Sequence, residues 1–225
     1  MTNFDAEKAI AAVKAVDEVR DGMIVGLGTG STAAYAVKRL SERISHGLRI
    51  TAVATSQATE ALARRLAVPL VPFQQLSALD LMIDGADEID DRFQAIKGGG
   101  GALLREKVIA AASTRVIIIV DSSKLVAQLG KFPLPVEVVP FASEFVRARL
   151  AELGARVTLR STDGTPFLTD QGNYILDAAL DKIPAPRAIA ATVAAIPGVA
   201  EHGLFLGEID TIIIARGDMV EVRHR

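Results

Sequence analysis

The chain contains no cysteine and no tryptophan, and only 4% of its 225 residues are aromatic. The absence of cysteine excludes disulfides, thiolate nucleophiles and cysteine-ligated metals. No apolar run approaches the roughly 18 residues of a membrane helix, and a net charge of −2 gives no basic field for nucleic acid. The N-terminus MTNFDAEKAI is acidic and amphipathic, unlike a signal peptide. We therefore predict a cytoplasmic protein that binds neither nucleic acid nor membrane and relies on acids, bases and lysines.

The first 130 residues predict an α/β fold. Half of all residues are hydrophobic, which is enough for a sizeable core. A first helix with apolar residues at helical spacing starts near a capping box formed by Thr2 and Asp5. Short apolar runs such as MIVGL, ITAVA, LDLMI and RVIIIV then alternate with stretches of helical composition. This alternation predicts a doubly wound, mostly parallel sheet with helices on both faces.

The chain changes character after Gly130. The stretch GKFPLPVEVVPF carries three prolines, which is typical of a hinge into a second unit. The short runs RVTLR, PFLTD and YILDAAL follow, separated by the hairpin-like STDGT and QGN and flanked by two helical stretches. We predict a small α+β domain over residues 131–202, after a first domain over residues 1–130. The last apolar runs, LFLG and TIIIARG, could return to either sheet, and residues 203–225 could complete the first domain.

A glycine-rich loop, GLGTGST at residues 26–32, separates the first predicted strand from its helix. Backbone N–H groups and the helix dipole favour an anion at such a position, and a phosphate is the natural ligand. Dinucleotide binding would require glycine at position 31, which is serine, and an acidic residue at the end of the next strand, which is missing. The loop therefore predicts a bound phosphomonoester, with a purely structural turn as the alternative.

An acidic segment, DGADEIDD at residues 84–91, follows the strand LMI. Asp84 and Asp87 lie at the carboxyl end of a parallel strand, where they could hold sugar hydroxyls or move protons. A divalent metal is the disfavoured alternative, because no histidine or third acid of matched spacing accompanies them. For Glu88, Asp90 and Asp91 we expect helix capping or solvated turns.

A third loop, KGGGGALLREK at residues 97–107, places four consecutive glycines between a short apolar pair and a predicted helix. Free N–H groups and Lys97 could bind a developing negative oxygen, and Glu106 follows within two turns as a candidate base. The alternative is that Glu106, between Arg105 and Lys107, belongs to a solvated helix face. A base beside an oxyanion site indicates proton abstraction next to a carbonyl.

The three loops, with DSSK at residues 121–124 and GKFPLPVEV at residues 130–138, closely resemble the type A ribose-5-phosphate isomerases. The resemblance extends to PGV at residues 197–199 and GLF at residues 203–205, and hence over essentially the whole chain. It implies a Rossmann-like domain with a smaller ferredoxin-like domain. It also implies a homodimer or homotetramer that acts in the pentose phosphate pathway without a cofactor or metal. One departure is Gly101, where many relatives have alanine.

The resemblance also implies roles for individual residues. Glu106 would be the catalytic base, assisted by Asp84, Asp87 and Lys97. Substrate-binding segments would comprise Thr29, Gly30, Ser31 and Thr32; Gly85 and Ala86; Gly98, Gly99 and Gly100; Lys124; and, less directly, Lys8. The substrate would be ribose 5-phosphate, converted to ribulose 5-phosphate through an enediolate.

Two functions of other classes remain open on the sequence. A CoA-transferase could use a similar fold with Glu106 as nucleophile, but we find no signal for a pantetheine groove. A sugar-phosphate sensor would bind the same ligand without turnover, and would normally carry a DNA-binding unit. Neither alternative accounts for the glycine loop and its glutamate as directly as the isomerase does.

Overall fold

The structure is a computed structural model that describes residues 3–225. The described chain forms two compact units, which interleave along the sequence. Unit 1 comprises residues up to Ala86, Arg105–Leu125 and Gly207–Arg225. Unit 2 comprises Asp87–Leu104 and Val126–Leu206. The helices are α1 (Asn3–Val16), α2 (Ser31–Ser45), α3 (Gln57–Arg65), α4 (Leu103–Ala111), α5 (Ser143–Glu152) and α6 (Pro186–Ala194).

Fifteen short strands accompany these helices in the described residues. Those of unit 1 are β1 (Ile24–Leu27), β2 (Thr51–Ala54), β3 (Leu81–Asp84), β6 (Val116–Asp121), β14 (Thr211–Arg216) and β15 (Met219–His224). Those of unit 2 are β4 (Glu88–Ile89), β5 (Ala95–Ile96), β7 (Leu134–Val138), β8 (Arg156–Leu159), β9 (Ser161–Thr162), β10 (Thr165–Pro166), β11 (Tyr174–Ala179), β12 (Val199–His202) and β13 (Leu204–Phe205).

Unit 1 is built on a six-stranded sheet of order β15-β14-β6-β3-β1-β2. Every neighbouring pair is parallel except β14 and β15, which form an antiparallel hairpin at one edge. The central strands are continuous apolar runs because both of their faces are covered. On one face, β1, β3, β6 and β14 pack with α1 and α2 in a single buried cluster. On the other face, α4 approaches so closely that a Cβ on Gly26 would lie 2.7 Å from Ile109.

Unit 2 contains a four-stranded antiparallel sheet of order β12-β7-β11-β8. Its chain order is strand, helix, strand, strand, helix, strand, if the small β9–β10 hairpin is set aside, and this is the ferredoxin-like arrangement. Val146 and Leu150 of α5 and Val193 of α6 belong to the same buried cluster as the apolar residues of this sheet. A three-stranded sheet, β13-β5-β4, completes the unit.

The predicted fold class, a Rossmann-like doubly wound sheet with a smaller ferredoxin-like unit, is confirmed. The run TIIIARG returns to the parallel sheet as β14, beside β6. The apolar pair before the glycine loop, Ala95-Ile96, forms a strand in the antiparallel sheet of unit 2. The predicted division, 1–130 and 131–202 with 203–225 able to complete the first domain, places residues 87–104 in the first domain, whereas these residues belong to compact unit 2. Thr2 of the predicted capping box lies outside the described residues.

The turn predictions differ in outcome. STDGT forms the β9–β10 turn, in which Asp163 and Gly164 both have positive φ (51° and 79°), as a tight hairpin turn requires. PFLTD is predicted as a strand, but only its proline extends β10 and the rest is irregular.

Among residues 3–225, no helix is long and apolar enough to cross a membrane.

Candidate active site

The first predicted segment lies in unit 1 at the N-terminus of α2. Gly30 precedes the helix with a positive φ of 105°, and no side chain caps it. The first N–H groups of a helix have no partner within it, so those of Ser31, Thr32 and Ala33 point out of the helix end. No other described residue accepts from them. This end of α2 thus has the geometry of an anion site.

Thr29 stabilises the same loop from within. Its hydroxyl lies 2.8 Å from the Thr55 hydroxyl, 2.8 Å from the Ser56 hydroxyl and 3.2 Å from the Thr59 hydroxyl. Thr59 in turn donates to the Gly28 carbonyl over 2.9 Å. This network of hydroxyls fixes the backbone of the loop against the start of α3. The TSQAT stretch at residues 55–59, which supplies three of them, was not singled out in the sequence, because serine and threonine before a helix ordinarily indicate only a cap.

Asp84 ends β3 and is fully buried, with an exposed fraction of 0%. Its Oδ1 accepts from the N–H of Gly85 over 2.7 Å and from the N–H of Thr29 over 3.2 Å. A Cβ on Gly28 would lie only 2.0 Å from Oδ1. Gly85 is adjacent to Thr32, since a Cβ there would lie 3.5 Å from the Thr32 Cβ. The first and second predicted segments therefore meet within unit 1, with the Asp84 carboxylate between them.

Glu106 lies in the first turn of α4 and is 3% exposed. Its neighbours Arg105 and Lys107 are half-buried, so the helix turns the glutamate inward between two more accessible charges. The alternative in which Glu106 belongs to a solvated face is wrong. The positive end of the helix dipole favours a carboxylate in the first turn.

Unit 1 also contains both lysines assigned to substrate binding. Lys8 on α1 forms an ion pair with Asp5, with Nζ and Oδ1 3.5 Å apart, and its side chain is 17% exposed. Lys124 ends a 3-10 turn at Ser122–Lys124 and is half-buried.

Glu7 was not singled out in the sequence, where it lies in an ordinary helical pattern. It is 2% exposed, and its carboxylate accepts from the Ser122 N–H, the Ser122 hydroxyl and the Gly217 N–H over 2.8–2.9 Å. Burial acts to raise the pKa of Glu7, but these hydrogen bonds and the charge of Arg216 outweigh it and lower the pKa below its usual value. Glu7 thereby ties the turn that carries Lys124 to α1 and to the β14–β15 hairpin.

Lys97 and Asp87 lie in unit 2. Lys97 follows β5 and is 3% exposed, and its Nζ lies 5.3 Å from the centre of the Phe205 ring. A cation over an aromatic face is held by the ring quadrupole. The Lys97 N–H donates to the Gly203 carbonyl over 2.9 Å, which fixes the backbone of Lys97 at the start of the glycine loop.

The glycine loop is a tight turn whose conformation depends on its glycines. Gly98 and Gly101 have positive φ values of 104° and 78°. Gly99 donates its N–H to Asp87 Oδ2 over 2.7 Å, and a Cβ at Gly99 would lie 2.5 Å from Asp87 Oδ1. Gly101 donates to the Gly98 carbonyl over 3.0 Å. The second and third predicted segments therefore meet within unit 2, and the N–H groups of Gly98 and Gly100 donate to no other described residue.

The prediction of solvated roles for Glu88 and Asp90 is wrong. Glu88 is 3% exposed and accepts from the N–H groups of Gly130 and Phe132 over 2.8 and 2.6 Å. Asp90 is 7% exposed and accepts from the N–H groups of Arg92 and Gln94, each over 2.9 Å. Both carboxylates are buried because each satisfies two backbone donors. Asp91 is exposed, as expected.

Across residues 3–225, no group of three or more histidine, aspartate and glutamate side chains has the arrangement of a metal site. Asp84 and Asp87 instead accept backbone N–H groups of two different loops.

Comparison with known proteins relates this arrangement to one family. The sequence model described as ribose 5-phosphate isomerase A (phosphoriboisomerase A) matches residues 51–219. A ribose-5-phosphate isomerase A from Sphingopyxis alaskensis is 86% identical over 225 residues, which cover 100% of this chain and 99% of the relative. A second, from Cereibacter sphaeroides, is 51% identical over 96% of this chain and 89% of its own length.

Solved structures agree with these matches. The ribose 5-phosphate isomerase A of Neisseria gonorrhoeae superposes with a TM-score of 0.93 at 39% identity, covering 100% of this chain and 98% of that one. A D-ribose-5-phosphate isomerase in complex with phospho-erythronic acid superposes with a TM-score of 0.95 at 36% identity, covering 99% of both chains.

Proposed function

The chain belongs to the ribose 5-phosphate isomerase A family, whose members interconvert D-ribose 5-phosphate and D-ribulose 5-phosphate, and from this premise we propose that Glu106 is the base of the reaction. The observation that carries the proposal is the burial of Glu106 between two charged neighbours in the first turn of α4, directly after the glycine loop. A carboxylate withdrawn from water in this way is suited to proton transfer. Membership of an isomerase family favours this function over the transferase and the sensor.

In the proposed reaction, the Glu106 carboxylate takes the proton from C2 of the open-chain aldose. The electrons of the C2–H bond form a C1–C2 double bond, and the carbonyl oxygen O1 becomes negatively charged. A proton passes from O2 to O1, and Glu106 returns its proton to C1, which gives the ketose. One residue serves as base and then as acid, so the overall step is balanced without a co-reactant.

Lys97 is proposed to stabilise the enediolate. Its ammonium group is held over the Phe205 ring, and so contributes a fixed positive charge. The N–H groups of Gly98 and Gly100 are proposed as additional donors, because those of Gly99 and Gly101 already serve Asp87 and the Gly98 carbonyl. A related isomerase is known in complex with phospho-erythronic acid. The two oxygens of a planar carboxylate resemble those of an enediolate, which supports this assignment.

The remaining roles concern substrate binding. We assign the 5-phosphate to the N-terminus of α2 at Gly30, Ser31 and Thr32, with Lys124 and Lys8 as cations and Thr29 as support for the loop. Asp84 and Asp87, with the backbone of Gly85 and Ala86, are proposed to orient the sugar hydroxyls. One of the two aspartates would assist ring opening by taking the proton of the anomeric hydroxyl while the ring oxygen gains one.

The proposal extends to cellular context. The reaction belongs to the pentose phosphate pathway, and charged sugar phosphates do not cross a bilayer, so we propose that the enzyme acts in the cytoplasm. We also propose a homodimer, or a homotetramer built from it. Val139, Phe141 and Phe145 of unit 2 are all exposed, Phe141 completely, and exposed apolar patches often mark an interface. Sedimentation equilibrium tests this, and a monomer at micromolar concentration would contradict it.

The decisive experiment incubates the purified protein with ribose 5-phosphate in D2O buffer containing EDTA and no nucleotide. We expect ribulose 5-phosphate, with deuterium entering C1 of the ketose, since the residues supply all the chemistry. Free ribose is the matched control, and its turnover should be very poor because it lacks the anchoring phosphate. Loss of activity in EDTA that Mg²⁺ restores would show instead that the reaction depends on a metal.

A further inference from the structure

Arg160 lies between β8 and β9 in unit 2, and its side chain holds the glycine loop. Its Nη1 donates to the carbonyls of Gly98 and Gly99 over 2.8 and 3.2 Å. The backbone of Arg160 is itself fixed, because its N–H donates to Ile175 and its carbonyl accepts from Phe167. The guanidinium therefore reaches the loop from a rigid part of the sheet.

Asp177 on β11 orients this guanidinium. Its two carboxylate oxygens accept from Nε and Nη2 of Arg160 over 2.9 and 2.5 Å, in the bidentate geometry that fixes a guanidinium plane. The side chains are only 15% and 24% exposed. Because the pair is shielded from water, the attraction between its two charges is screened less than in a surface pair. The guanidinium is therefore held firmly in its position beside the loop.

The contacts of Arg160 determine which way the loop peptides face. In a trans peptide the carbonyl and the following N–H point in opposite directions. The Gly98 carbonyl faces Arg160, and the Gly99 N–H on the other side of that peptide binds Asp87. The Gly99 carbonyl also faces Arg160, so the Gly100 N–H points away from it. Gly100 is exposed, and its N–H donates to no other described residue.

We propose that Arg160, oriented by Asp177, is a positioning residue for the isomerisation. It does not touch the substrate. It holds the carbonyls of Gly98 and Gly99 on one side of the loop so that the Gly100 N–H is presented to a substrate oxygen. Without it, the Gly98–Gly99 peptide would keep its bonds to Asp87 and Gly101, but the Gly99–Gly100 peptide would lose its bond to the guanidinium at two residues with unusually wide backbone freedom. The inference rests on the proposed function, because it assigns a role to a loop that binds the enediolate.

Arg156 offers a matched control for Arg160. It lies at the start of β8 and also forms a bidentate pair, with Asp181, over 3.0 and 3.1 Å. That pair is largely exposed, at 74% and 69%, and Arg156 makes no hydrogen bond to the glycine loop. Arg156 and Arg160 line the same cavity of about 490 Å³, which also contacts Gly99 and Asp177. A small cation can therefore enter beside either arginine.

The experiment compares Arg160→Ala, Arg160→Lys and Arg156→Ala in the full chain. For Arg160→Ala we expect kcat to fall about 10–100-fold with little change in KM, since a misplaced donor acts mainly on the transition state. Guanidinium chloride at tens of millimolar should restore part of kcat, whereas urea or sodium chloride should not. Arg160→Lys should keep the melting temperature but remain impaired, because an ammonium cannot reproduce the planar fork. Arg156→Ala should match the parent in kcat and gain nothing from guanidinium.

Asp177→Asn serves if Arg160→Ala does not fold, since it preserves the size of the pair and removes its charge. It should lower kcat more than KM. A folded Arg160→Ala or Asp177→Asn with the parent's kcat would overturn the inference. So would a loss of kcat in Arg160→Ala that Arg160→Lys fully repairs, because a point charge would then suffice. A parent protein that does not isomerise ribose 5-phosphate would refute the proposed function itself, and this is read from the parent alone.

Discussion

Asp84 and Asp87 lie only three positions apart, yet they belong to different units and support different loops. Asp84 is fully buried in unit 1 and accepts from the loop that precedes α2. Asp87 is half-buried in unit 2 and accepts from the glycine loop. Their accessibilities separate their roles. We infer that Asp84 mainly fixes the backbone of the phosphate loop, and that Asp87 is the better placed of the two to exchange protons with a sugar hydroxyl.

The same contrast extends to the whole of each unit. Unit 1 holds the proposed base, Glu106, and the end of α2 with its free N–H groups. Unit 2 holds Lys97, which is proposed to stabilise the enediolate. It also holds the glycine loop, in which the Gly99 N–H donates to Asp87 and the Gly98 carbonyl accepts from Arg160. The residues proposed to bind phosphate and to take the proton thus belong to unit 1, and those proposed to stabilise the enediolate belong to unit 2. The following experiments test this division, from the largest expected effect to the smallest.

Glu106→Gln tests the chemistry assigned to unit 1. Glutamine preserves the length of the side chain but cannot take a proton, so kcat should fall about 10²–10⁴-fold. Binding of phospho-erythronic acid, measured by calorimetry, should change little. Glu60→Gln on the exposed surface of α3 is the control and should match the parent. Near-parental turnover and deuterium exchange in Glu106→Gln would transfer the role of base to another carboxylate, with Asp87 the first candidate.

Lys97→Met tests the chemistry assigned to unit 2. Methionine keeps an unbranched apolar chain beside Phe205 but removes the charge, so the effect isolates electrostatics from packing. Loss of an oxyanion donor typically costs about 2.7–4 kcal/mol of transition-state stabilisation, which corresponds to a fall of about 10²–10³ in kcat. Lys131→Met, at an exposed position of unit 2, is the control. A rise in KM of the same size, with no change in kcat, would mean that Lys97 binds the substrate's ground state instead.

Gly28→Ala and Gly99→Ala compare the two aspartates directly. The new Cβ would clash with Asp84 at 2.0 Å in unit 1 and with Asp87 at 2.5 Å in unit 2. Asp84 is enclosed, so Gly28→Ala should cost about 1–3 kcal/mol of stability. Asp87 is half-buried and its side chain can turn aside. Gly99→Ala should therefore lower kcat with only a small fall in the melting temperature. Neither glycine has a positive φ, so the effect is steric.

Gly207→Ala is the control for both substitutions, because a Cβ there meets nothing within 4 Å and its φ is not positive. It should leave both the melting temperature and kcat at the parent's values. If Gly28→Ala and Gly99→Ala lowered stability equally and left kcat unchanged, the two aspartates would have the same purely structural role.

Much of the site could be predicted because its segments follow strands of a parallel sheet or precede helices. The α2 loop, the end of β3 and the glycine loop each show a local signal in a short window. Family resemblance then assigned roles that spacing alone left open. The side chains that hold these segments could not be found in this way. Arg160 and Asp177 lie about 60 and 80 positions after the loop they support, so only tertiary pairing brings them together.

Burial was equally hard to predict for charged side chains. Glu88, Asp90 and Glu106 all occur among other charges, and a window of sequence with several charges ordinarily indicates a solvated face. Glu88 is compensated by the N–H of Gly130, 42 positions along the chain, which no short window contains. Asp90 accepts from two N–H groups of its own turn, and Glu106 lies at the start of its own helix, so the partners are local but the burial depends on the fold. The fold class was easier, since alternating strands and helices repeat the same signal many times along the chain.

The smallest effect concerns Glu7, which joins three segments of unit 1. Its lowered pKa means that the folded protein favours the ionised form, so its contribution to stability is present at neutral pH. That contribution is lost as pH falls through the usual carboxyl range toward the lowered value. Glu7→Gln should therefore lower the free energy of unfolding at pH 7 by about 1 kcal/mol, seen as a lower melting temperature. The difference from the parent should shrink between about pH 5 and pH 3. Glu144→Gln in unit 2 is the control: hydrogen bonding to Arg147 also lowers the pKa of Glu144, but the pair is exposed to solvent and should contribute far less than Glu7 at every pH. A constant difference between Glu7→Gln and the parent at all pH values would show that Glu7 contributes through packing and not through its charge.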